Sequence, residues 1–94
     1  MAMKIVLLEV VFHLEGCSSL KEKRSRLSGL RDRVGRYTNV AVCEADYQDD
    51  HQQAMWAFVI TGSGPMVDKT IANVEEQVEE SFDAQVIGIH RQDL

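Results

Sequence analysis

The chain has 94 residues, 45% hydrophobic and 27% charged, with one proline and a formal net charge of −5. A chain this short forms a single domain with one shared core, and its composition excludes disordered and disulfide-scaffold classes. Overall acidity also excludes nucleic-acid binding through bulk charge, so any such role has to be local.

Residues 3–14 are rich in Val, Ile and Leu. Val6, Leu8, Val10, Phe12 and Leu14 make one apolar face, while Glu9 and His13 interrupt the other. That alternation predicts a central strand covered well on one side. Glu9 and the brevity of the run argue against an export signal or a membrane span. Cys17 and Cys43 show no metal or redox spacing, which fits a reducing cytoplasm. Ser19 followed by Glu22 is a capping box, and Leu20, Leu27, Leu30 and Val34 then recur on one helical face up to Gly35. A second strand is expected over 40–47, a polar loop over 48–53 and a third strand over 54–61, the short loop implying an antiparallel hairpin. Pro65 opens a second helix, with Val67, Ile71, Val74 and Val78 on its apolar face, expected to run to about Ser81. A last strand is expected over 84–90. The order βαββαβ specifies an α+β, ferredoxin-like sandwich: a four-stranded antiparallel sheet with two helices on one face and the first and third strands central. The start of the first helix, the 48–53 loop and the turn near Asp83 should then gather at one end.

Seven of the ten basic residues lie between Ser18 and Arg36, opposed only by Glu22 and Asp32, so this segment carries +5 and the remainder −10. Two stretches here and downstream, "SSLKEKR" and "EADYQD" with the following Gln52, Gln53 and Ala54, resemble the YlxP-like family of small bacterial proteins of unassigned function. Asn39–Val40 extends the resemblance across nearly the whole chain. Tyr47, Asp50 and His51 depart from the pattern, standing where His and Leu-Trp are common. The resemblance implies a ferredoxin-like fold and a gene setting among transcription elongation, translation initiation and ribosome maturation.

Candidate sites follow from charge and topology. At 100° per residue, Lys23 falls within the apolar arc of the first helix, with Arg24 and Arg31 on one edge and Arg26 and Arg33 on the other. Lys21, Lys23, Arg24, Arg31 and Arg33 are therefore the candidate RNA contacts, in competition with pairing to the acidic second helix. Ser18, Ser19 and Lys21 at the helix start form a candidate anion site, which Asp46, Asp49 and Asp50 are expected to compete for. The acidic 44–51 loop has no metal-binding spacing. Trp56, Phe58 and Ile60 belong to the core, although "WAFV" resembles an RNA-recognition-motif strand. The opposite sheet face, with Ile5, Leu7 and Val11, invites self-association or a protein partner. His13, His51 and His90 have no nucleophile at triad spacing, and "HLEGCSSL" lacks the arginine of the acylphosphatase loop that it echoes. These readings predict a cytoplasmic, non-enzymatic module without cofactor, metal or membrane contact, whose partner is RNA or the ribosome. The alternatives are a protein-binding or homo-oligomeric module using the open sheet face, and a small-anion or metal binder at the helix start.

Overall fold

The computed structural model describes residues 2–80 and 83–94. The chain runs β1 (Met3–His13), α1 (Leu20–Val34), β2 (Val40–Asp46), β3 (Gln53–Ser63), α2 (Gly64–Glu79) and β4 (Gln85–Asp93). The sheet is antiparallel in the order β2-β3-β1-β4, so β1 and β3 are central as the crossover rule requires. The expected end of the second helix at Ser81 lies outside the described residues.

Alternation along the two central strands builds the core. Val6, Leu8, Val10 and Phe12 of β1 pair in register with Ile60, Phe58, Trp56 and Ala54 of β3, and all eight are buried on the helix side. Phe12 meets Trp56 edge to face at a centroid separation of 5.7 Å, the geometry that aromatic quadrupoles favour. Leu27, Leu30 and Val34 of α1, with Val67, Ile71, Val74 and Val78 of α2, close the core from above.

Three strand details differ from the expectation. β3 continues through Gly62, whose φ of 147° lets the chain turn into α2. β4 continues through His90–Asp93, a polar run with no alternation that is held in the sheet by pairing with β1. In β2, a bulge after Glu44 pairs Glu44 with Trp56 and Asp46 with Met55, leaving Ala45 as the extra residue. Val40, Val42 and Glu44 therefore face the helices, and Asp46 is moved to the opposite side of the sheet.

Asn39 latches the far end of the sandwich. Its amide donates to the Thr61 carbonyl at 3.1 Å and to the Thr70 hydroxyl at 3.0 Å, tying the entry to β2 to α2. Replacing Asn39 by Ala removes both bonds and should lower the unfolding free energy by about 1–2 kcal/mol in urea denaturation. No change in midpoint would contradict this role.

Candidate nucleic-acid interface

The capping box at the start of α1 forms as the sequence indicates. The Ser19 hydroxyl accepts from the Glu22 amide at 3.1 Å, and the Glu22 carboxylate accepts from the Ser18 amide at 3.2 Å. Two of the donors expected to serve an anion at Ser18, Ser19 and Lys21, the Ser18 and Glu22 amides, are thus already engaged within the cap. The aspartates of the loop do not compete for them. Asp46 caps the Tyr47 amide, and Asp50 accepts from the Gln52 and Gln53 amides.

Lys23 is corrected as a candidate RNA contact. It is 2% exposed, and its ammonium donates to the Tyr47 carbonyl at 2.7 Å and the Asp50 carbonyl at 2.9 Å, with Glu44 at 3.8 Å. A buried ammonium needs partners because desolvation penalises the charge, and the two carbonyls with Glu44 supply them. Tyr47 sits at φ 61°, a left-handed conformation unusual for a side chain of its size, and its carbonyl also receives the Asp50 amide. The ammonium therefore fixes the shape of the loop.

Arg26 also turns inward. It donates to the Glu15 carbonyl at 2.8 Å and pairs with Glu22 at 3.1 Å, alongside the His13–Glu15 contact at 2.9 Å. The Cys17 thiol beside Glu22, the Ser18 amide and the Arg26 guanidinium hold the Glu22 carboxyl below the usual carboxylate range. Burial pushes the Cys17 thiol up, so it is not a poised nucleophile.

The remaining cations divide by face. Arg33 lines a shallow cleft with Arg26, Glu80 and Asp83 at the end of α2. Lys21, Arg24 and Arg31 are exposed and lie within about 80° of helical arc, along about 15 Å of helix. Arg24 and Arg31 border the apolar arc on the edge away from that cleft. Among the described residues, no salt bridge joins α1 to α2, and Lys21, Arg24, Arg31, Arg33 and Arg36 make none. The expected neutralisation of α1 by the carboxylates of α2 is absent from this set; Asp68 of α2 instead has Arg91 of β4 at 3.8 Å. No group of three or more metal-ligating side chains converges among the described residues, and no described helix is long and apolar enough to cross a membrane.

A family model for a protein of unknown function, DUF503, matches residues 5–91. The chain belongs to the DUF503 family. None of the curated proteins gives a significant match. Among solved structures, this DUF503 chain is similar to protein YJCS at 6% identity and TM-score 0.62, covering 96% of this chain and 98% of that one. It is also similar to a designed protein with the ferredoxin fold, at 19% identity and TM-score 0.55, covering 95% and 83% of the two chains. The Arabidopsis thaliana protein At3g17210 is similar at 12% identity and TM-score 0.50, with 96% and 92% covered. At these identities the similarities establish the fold alone.

Sequence reasoning found the helix and its capping box but could not assign each cation to a face. The nearest acceptors of Lys23 are main-chain carbonyls that no side chain announces. Its position on the apolar arc was the available signal.

Two predictions follow from this network. Lys23→Met leaves the Tyr47 and Asp50 carbonyls without their charged donor and should cost about 2–3 kcal/mol of stability while speeding hydrogen exchange at the Asp50 amide. Unchanged exchange there would show that the loop holds its shape without the ammonium. A depressed carboxylate contributes stability above its ordinary range that is lost as pH falls through its folded value. The melting temperature of the wild type should therefore fall more between about pH 5 and about pH 3 than that of Glu22→Gln. Parallel curves would contradict the assigned role of Glu22.

Proposed function

We propose that this DUF503 chain is a YlxP-like, cytoplasmic and non-catalytic accessory factor of translation or ribosome assembly, which contacts RNA through the outer flank of α1. The observation that carries the reading is the exposed stripe of Lys21, Arg24 and Arg31, which has no salt-bridge partner among the described residues and in which both arginines lie on the edge of α1 away from the carboxylates of α2. Cations left unpaired in an acidic chain suit a polyanion that supplies the missing charge, and phosphate oxygens do so without demanding a deep pocket. The acidic outer side of α2 would repel the same polyanion, confining it to the α1 flank. The resemblance of "SSLKEKR" and "EADYQD" to YlxP-like proteins supports the translational setting.

The test is fluorescence anisotropy with single-stranded and hairpin RNA at two salt concentrations. Three phosphate contacts predict a slope of log affinity against log salt of about −2 to −3. The Arg24→Glu, Arg31→Glu double variant should lose at least about tenfold in affinity at low salt and flatten the slope by roughly two contacts. Arg33→Glu, at the cleft beside Glu80 and Asp83, should have the smaller effect. Equal binding by wild type and double variant at both salts, or no binding by either, would overturn the reading.

A further inference from the structure

The sheet face turned away from both helices is a large surface that the nucleic-acid reading leaves unused. Strand register places Ile5, Leu7 and Val11 of β1 beside Met55, Ala57 and Val59 of β3 at its centre. Ile5 is 45% and Val59 40% exposed. The flanking positions of β2 are small, Ala41 and Cys43, and both are exposed.

We propose that a second copy of this chain covers this face, giving a two-fold dimer with sheet packed on sheet. The chemistry of the face argues against the other occupants. None of its paired strand positions holds a lysine or an arginine, because Lys4 and Arg91 fall on the helix side in the register of β1 and β4. A polyanion therefore finds no lysine or arginine here, and a nucleobase finds only the imidazoles of His13 and His90 rather than a Phe, Tyr or Trp ring. The face also lacks Trp, Tyr and Arg anchors, so a contact made on it rests on aliphatic packing. What it offers is a broad pleated layer of aliphatic side chains, whose relief is complementary to a copy of itself in face-to-face sheet packing.

The area agrees. Strands of 11, 11, 7 and 9 residues in a four-stranded sheet give a footprint of roughly 600 Å² before side-chain relief. A standard stable interface takes about 800 Å² from each partner. Two carboxylates lie on this face: Glu9, whose register partner on β4 is His90, and Asp46 at the rim of β2. Because α1 lies on the other side of the sheet, the dimer leaves each basic stripe on an outer surface. The inference stands independently of the RNA reading.

Sedimentation of the full chain from about 1 to 200 µM tests it, a range that brackets the affinities expected for an interface of this size without strong anchors. The wild type should move from monomer to dimer mass within that range. Leu7→Lys and Val59→Lys should stay monomeric with unchanged circular dichroism, while Met66→Lys, at an exposed position of α2, should dimerise as wild type does. A second measurement on the wild type alone covers the case of a variant that fails to fold. Cys43 lies on the face and Cys17 is buried, so alkylation of Cys43 should slow as the concentration rises into the dimer range. A wild type that stays monomeric throughout, a dimer retained in both face variants, or an alkylation rate independent of concentration would overturn the proposal.

Discussion

One buried ammonium group organises the end of the molecule on which the functional account depends. Lys23 projects from the second turn of α1 into the crossing between helix and sheet, where the carbonyls of Tyr47 and Asp50 and the carboxylate of Glu44 surround it. Such a charge is tolerated only when its hydrogen-bond partners are fixed, so the β2–β3 loop has to present two carbonyls in one direction. The left-handed Tyr47, whose carbonyl takes the ammonium, is part of that presentation. Alternation with Val40 and Val42 puts Glu44 on the helix side near the ammonium, and the bulge after it sends Asp46 to the other side.

This arrangement divides the positive charge of α1 into separate roles. Lys23 and Arg26 act within the fold: one shapes the loop, and the other joins the capping box to the end of β1 through Glu15. Arg33 stands at the cleft shared with the end of α2. Lys21, Arg24 and Arg31 are left for solvent or a partner. Exposed ion pairs contribute little to stability, so an unpaired stripe costs the fold almost nothing while creating a local positive field on an acidic molecule. The outer flank of α1 and the bare sheet face then present different chemistries, cationic on one and largely aliphatic at the centre of the other.

Much of this was legible in the residues. The alternation of Val6, Leu8, Val10 and Phe12, the helical spacing of Leu27, Leu30 and Val34, and the Ser19–Glu22 pair each specify a local structure whose period or cap is encoded within a few positions. The inward placement of Trp56, Phe58 and Ile60 followed from the same logic. What stayed hidden depends on distant partners. A bulge at Ala45 is set by how β2 meets β3, and the polar His90–Asp93 run becomes a strand because β1 offers it backbone donors and acceptors. Lys23 could be flagged by its place on an apolar arc, but carbonyl acceptors leave no trace in side-chain identity. The split between Arg33 and the outer arginines likewise needed the position of α2.

The central claim is that the charge on α1 is partitioned, with only the outer stripe offered to a polyanion. The most direct measurement is a residue-resolved NMR titration of the isotopically labelled chain with a short single-stranded RNA at low salt. The account predicts shift changes that increase with added RNA along Lys21, Arg24 and Arg31, with the amides of Leu7, Val11, Ala57 and Val59 unmoved. Perturbations centred on the sheet face, or on the cleft of Arg33, Glu80 and Asp83, would contradict it, as would a spectrum that RNA leaves unchanged.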